Sequence, residues 1–120
     1  MAAEKNPDAE IWRYIPDFED YAVSSRGRVF NVDRYRELLG RRGTDGRRKV
    51  RLFSQGDWID KYVHQCMAMA FVVGHEWGDP VGHWNQIYWD NRLENLRLYV
   101  YNFGYILEPQ WFPIGDDDGY

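Results

Sequence analysis

The segment VGHWNQIYWDNRLENLRLY, residues 81–99, sets one histidine, His83, eight and twelve residues ahead of two asparagines, Asn91 and Asn95. An imidazole titrates near neutral pH and can take a proton from water, and an amide can orient a neighbouring group or cap a helix. Each residue also has a plain structural explanation. His83 can be a strand histidine satisfied by backbone, and asparagine at position 91 is a preferred helix N-cap. Asn95 is harder to explain in that way, because mid-helix asparagine has no propensity advantage. Three aromatic residues, Trp84, Tyr88 and Trp89, interleave with this set.

The pattern around these residues predicts a short strand over 81–84, an extended piece over 87–89 and a helix over 90–99. Asn91 followed by Glu94 has the form of a capping box, with Leu93 and Leu96 on one face behind it. Upstream, Val63, Cys66, Met67, Ala70 and Phe71 recur at helical spacing and predict an amphipathic helix over 63–73. His64 at its start reads as structural or phosphate-facing. Short strands over 21–23 and 28–32 flank SSRG, where Gly27 can take the positive φ of a tight turn. KVRLFS and WIDKYV form a second hairpin across QGD. Residues 33–46, with Gly40, Gly43 and Gly46, read as a mobile basic loop holding one helical turn at RYRELL. The fold class is α+β.

At 120 residues the chain suits one compact domain or two small modules sharing a core. The expected division is a flexible lead over 1–9, a hairpin and Arg-rich module over 10–55, a core over 56–100 and an aromatic, acidic tail over 101–120. The tail's Tyr101, Phe103, Tyr105, Trp111 and Phe112 are a candidate anchor for a protein partner or for self-association. Cys66 is the only cysteine, which excludes intrachain disulfides and zinc sites built on several thiolates. The longest apolar run, CMAMAFVVG, is too short to span a bilayer, so a cytoplasmic protein with no membrane partner is expected.

The net charge of −4 argues against a generic nucleic-acid binder, yet it hides an asymmetry. Between Arg26 and Arg51 lie ten basic residues and three acids, while acids collect at both ends of the chain. Such a centre can meet a polyanion or an acidic protein, or neutralise itself within the fold. Arg26, Arg28, Arg34, Arg36, Arg41, Arg42, Arg47, Arg48 and Lys49 are the candidate phosphate contacts.

These residues also carry a resemblance. EIWRYIPDFEDYAVSSRGRVFNVDR resembles the nuclease-associated modular DNA-binding motif, matching at Glu10, Ile11, Trp12, Phe18, Glu19, Tyr21, Val23, Ser24, Gly27, Arg28 and Val29. YVHQCMAMAFV is similar to the helix that precedes the nuclease core in the same proteins, and VGHWNQIYWDNRLENL resembles the HNH core itself, without a gap from Val81 through Leu96. The three motifs follow in the family's order. The resemblance implies a phage-type HNH homing endonuclease with a ββα-metal core, carrying out metal-assisted phosphodiester hydrolysis on DNA. By the same resemblance His83 is the general base, Asn91 holds its geometry, and Asn95 on the closing helix is a ligand for Mg²⁺.

Two departures bear on that reading. The family carries Asp or Asn just before the histidine as the second metal ligand, and here Gly82 offers no side chain. Mg²⁺ would therefore be held weakly at best. At the hairpin tip the family's turn glycine and basic residue give way to Asn85, Gln86, Ile87 and Tyr88, which with Trp84 and Trp89 make an aromatic patch suited to a protein contact. The leading expectation is an HNH-related, phage-like DNA-binding protein with a degenerate metal site. One rival is an active Mg²⁺-dependent nicking enzyme. The other is a domesticated interaction module, such as a phage inhibitor of a host nucleic-acid enzyme, with a host protein held at Trp84, Tyr88 and Trp89.

Overall fold

The structure, a computed structural model, describes residues 9–98 and two further strand segments, Val100–Asn102 and Tyr105–Leu107. The expected lead, apart from residue 9, and the tail beyond residue 107 lie outside the described residues.

Alternating apolar residues build the first sheet. β1 (Trp12–Ile15), β2 (Phe18–Ser24), β3 (Val29–Asn31) and β4 (Arg36–Leu38) form an antiparallel meander in chain order. Ile15, Tyr21, Val23 and Val29 enter the core, and the opposite face carries Trp12, Tyr14 and Phe30. β4 corrects the expected helical turn at RYRELL. Arg36, Glu37 and Leu38 pair with Asn31, Phe30 and Val29, because an open strand edge offers backbone partners without the cost of nucleating an isolated helical turn. The expected mobile loop thus contains β4 and also β5 (Arg41–Arg42).

β5, β6 (Arg48–Ser54) and β7 (Asp57–Tyr62) form the second antiparallel sheet. Gln55 and Gly56 turn β6 into β7 with φ of 52° and 84°, the positive pair that a two-residue hairpin needs. The Phe53 N–H donates to Tyr21 Oη at 2.9 Å and ties the two sheets together.

α1 (Val63–Phe71) follows β7 directly and ends two residues before the expected limit, where Val72 is already extended. Its buried side holds Val63, Cys66, Met67, Ala68 and Phe71, and these meet Ile15 and Val23 of the first sheet, Val50 and Leu52 of the second, and Val81, Leu93 and Leu96 downstream. One continuous core results. The thiol of Cys66 is fully enclosed, and burial pushes its pKa up to about 12.

β8 (Val81–His83) and β9 (Leu96–Leu98) pair antiparallel, with His83 opposite Leu96. Here the sequence expectation needs its main correction. Within the expected helix over 90–99, the described residues 90–98 are not α-helical: a single 3-10 turn, Leu93–Asn95, leads into β9, and residues 87–89 belong to a tight turn rather than a strand. The capping box does not form, because the amide oxygen of Asn91 is taken by His83 and Arg92 occupies the cap position without a side-chain bond. Leu93 and Leu96 are both buried, and a spacing of three suits a 3-10 turn followed by a strand as well as it suits an α-helix. β10 (Val100–Asn102) and β11 (Tyr105–Leu107) pair with each other. The whole is a strand-rich fold with one α-helix among the described residues.

Candidate active site and nucleic-acid interface

His83 closes β8 and is only 6% exposed. Its Nε2 lies 2.9 Å from Asn91 Oδ1, so with the amide in this orientation Nε2–H donates and Nδ1 keeps the lone pair. The β2–β3 turn holds Asn91 in place. A Cβ on Gly27 would stand 2.8 Å from the Asn91 carbonyl carbon, and Gly27 has φ of +83°. Only glycine combines that conformation with that approach. The Leu93 N–H donates to the Ser25 carbonyl at 2.8 Å, and Ser25 exchanges two further bonds with Ile11. The SSRG turn is therefore a wall of the site.

The second histidine of the site comes from α1. His64, 5% exposed, meets the His83 ring edge to face at 5.5 Å, and Tyr62 and Tyr88 flank the pair at 5.0 and 5.7 Å. The Nδ1 atoms of both histidines and Nδ2 of Asn91 are buried and have no hydrogen-bond partner among the described residues. Burial pushes the pKa of His64 down to about 3, helped by His83 and Arg47. Burial also lowers that of His83, against an opposing pull from its bond to Asn91. Both rings are neutral at physiological pH. His83 thus has the protonation state of a general base, with one nitrogen oriented by an amide, while the other is walled in by rings.

Asn95 is turned elsewhere. Its Oδ1 accepts from the Asn85 backbone at 3.0 Å, and its Nδ2 donates to Asn85 Oδ1 at 2.9 Å and to the Asp90 carbonyl at 2.8 Å. The one carboxylate in this turn, Asp90, is held by Arg92 at 2.8 Å and by Asn85 at 2.9 Å; the Arg92 guanidinium is the largest cause of its pKa falling to about 2. A hard cation such as Mg²⁺ asks for about six oxygens, some of them from carboxylate or amide side chains. Gly82 supplies none, Asn95 Oδ1 already accepts from the Asn85 backbone, and the ionised Asp90 is paired with Arg92. Among the described residues no group of three or more His, Cys, Asp or Glu is placed to hold a metal ion. The residues present do not fit the metal that the HNH resemblance implies.

The basic block divides. Arg48 is the correction: it is 9% exposed and donates to three carbonyls, those of Leu39 at 2.7 Å, Gly27 at 2.7 Å and Leu38 at 3.0 Å, so phosphate cannot reach it. Strand alternation carried the signal, since Arg48 shares its face of β6 with Val50 and Leu52. Several others meet acids in the fold. Arg28 bridges Glu10 and Glu37 at 2.9 and 3.1 Å, Arg41 and Arg51 share Asp60, and Arg47 and Arg34 stand 3.8 and 3.9 Å from Asp45 and Asp33. Lys49 lies over Tyr62 at 5.0 Å. Arg26, Arg34, Arg36, Arg41 and Arg42 are exposed.

The aromatic turn meets this block. Arg47 lies 4.2 Å over Tyr88, Arg42 4.9 Å over Trp89, and Arg97 4.3 Å over Trp84. The turn expected to contact a partner and the loop expected to contact phosphate therefore form one surface. Sequence reasoning missed Gly27 as a wall of the site, His64 as neighbour of His83, and Asn85 and Asp90 as the partners of Asn95.

Residues 10–53 match the NUMOD4 motif. DNA endonuclease I-HmuI of Bacillus phage SP01 is 31% identical over 87 residues, covering 72% of this chain and 50% of that protein. The solved structure described as DNA binding and cleavage by the HNH homing endonuclease I-HmuI superposes with a TM-score of 0.65 at 31% identity, covering 72% of this chain and 51% of the other. The chain spans about half the length of the relatives it matches. No helix among the described residues is long and apolar enough to cross a membrane. By motif, sequence and fold, this chain carries a NUMOD4 segment and is similar to a phage HNH homing endonuclease.

Proposed function

We propose that the chain is a DNA-binding protein on an HNH endonuclease framework whose cleavage centre no longer holds a divalent metal. The observation that carries this reading is the state of the three positions that could supply oxygen: Gly82 has no side chain, and the oxygens of Asn95 and Asp90 are committed within the turn. The His83–Asn91 pair remains as the orienting half of a general base. DNA binding rests on the exposed arginines of the basic block and on the likeness to a protein described as binding and cleaving DNA. In this reading Arg26, Arg36, Arg41, Arg42 and Arg47 contact phosphate, residues 10–55 are the binding module, and the chain works in the cytoplasm of a phage host.

The test is a nicking assay on supercoiled plasmid with Mg²⁺ or Mn²⁺, comparing the natural chain with His83→Ala and Gly82→Asp. The reading expects no nicking by the natural chain and salt-sensitive DNA binding, in which affinity falls steeply as salt rises. Nicking by the natural chain that His83→Ala abolishes would establish the active-enzyme alternative instead. Absence of DNA affinity at low salt would leave the interaction-module reading.

A further inference from the structure

We propose that the aromatic turn binds unpaired nucleobases, so that the protein prefers DNA with a short single-stranded gap over intact duplex. This rests on the DNA-binding reading above. In residues 84–88, Trp84, Ile87 and Tyr88 are 48%, 56% and 41% exposed, a large apolar area for one turn of a small domain. The turn has no basic residue of its own, but cations arrive from neighbouring strands and loops. Arg97 covers Trp84, and Arg47 covers Tyr88. Arg47 belongs to the basic loop, so its place 4.2 Å over Tyr88 puts the loop and the turn in contact. The result is a strip in which two rings each carry a guanidinium.

The strip's chemistry selects its occupant. A paired base has both faces covered by its neighbours, whereas an unpaired base offers a π-face that can stack on an aromatic ring or a guanidinium plane. The positive charge of the same guanidinia suits the phosphates on either side of such a base. Two of the acids nearby, Asp90 and Glu94, are held by Arg92, and Asp45, 3.8 Å from Arg47, also accepts from Tyr62 Oη. A purely apolar protein partner would leave two guanidinia to be desolvated, which costs affinity; a nucleotide strand satisfies rings and cations together.

Binding of a labelled blunt duplex, and of the same duplex carrying a short gap, tests the proposal at one fixed salt concentration. The gapped DNA is expected to bind about tenfold tighter. The double variant Trp84→Ala with Tyr88→Ala is expected to lose that preference, read as the ratio of the two affinities, while Trp84→Phe with Tyr88→Phe retains it. Thermal unfolding checks that each variant is folded; if the double variant is not, Trp84→Gln alone takes its place. Equal affinity for the two DNAs overturns the proposal and leaves duplex binding intact. A gap preference that survives Trp84→Ala with Tyr88→Ala, or Trp84→Gln, also overturns it, and no binding to either DNA removes this proposal together with the reading beneath it.

Discussion

Two buried polar regions lie on either side of the Gly27 turn, and they are built on opposite terms. On one side Arg48 is enclosed, and each of its three guanidinium nitrogens donates to a carbonyl. On the other, His64, His83 and Asn91 are equally enclosed but leave three nitrogens without a hydrogen-bond partner among the described residues. A buried polar group that is fully bonded holds a fold together, and one left unbonded costs stability. The difference separates a structural network from a site kept for another reason. Arg48 belongs to the first kind although the sequence placed it in a DNA-binding block, and the histidine pair belongs to the second.

The largest effect should come from breaking the satisfied side. Arg48→Ala strands the buried carbonyl of Gly27 and the partly buried ones of Leu38 and Leu39, and a loss of about 3 kcal/mol is expected in denaturant unfolding. Arg48→Lys should recover little of it, because one ammonium cannot reproduce the planar fork. If Arg48→Lys is as stable as the natural chain, the keystone role is wrong.

Gly27→Ala strikes the boundary between the regions. It combines an unfavourable φ with a contact at 2.8 Å to Asn91, and the expected cost is about 1–3 kcal/mol. The His83–Asn91 bond should loosen at the same time, visible as a shift in the imidazole resonances and in the pKa of His83. A variant as stable as the natural chain, with unchanged resonances, would mean that the turn is not a wall of the site.

The unsatisfied side should respond least, and with the opposite sign. His64→Phe keeps the ring contacts, removes an orphaned nitrogen and is expected to be neutral or stabilising by up to about 1 kcal/mol at neutral pH. The pH dependence sharpens this. The folded pKa of His64 lies at about 3, well below its ordinary 6.5, so on acidification the unfolded chain takes up its proton first. Stability contributed by the neutral ring is complete above pH 6.5 and is lost as pH falls towards 3. The perturbed carboxylates, Glu37 among them, have ordinary values of 4.5 or below, so a slope between pH 6.5 and 4.5 isolates the histidines. His64→Phe should flatten that slope; a slope unchanged by the substitution would count against the neutral, buried pair.

Much of the fold was legible in the chain. The hairpins around Gly27 and across Gln55 and Gly56, and the helix starting at Val63, all formed, because alternation and helical spacing report a local geometry that each segment adopts with its own neighbours. The failures share a cause. Residues 90–99 and 34–39 have sequences compatible with helix, and each was drawn instead to an unfilled strand edge elsewhere in the chain, β8 in one case and β3 in the other. Of the candidate site, the association of Asn91 with His83 was readable only through the resemblance. The engagement of Asn95 by Asn85 and Asp90 was not, since it follows from the turn that replaced the expected helix.

By itself the sequence determined the residue types, and with them two chemical limits: no side-chain oxygen at Gly82 and a neutral-range base at His83. Tertiary structure alone decided which charges face solvent and which face carbonyls. Whether an arginine meets phosphate or backbone, or an imidazole nitrogen meets water or another ring, depends on which distant segment packs over it. That is fixed by the shared core around α1 and by the approach of Gly27 to Asn91.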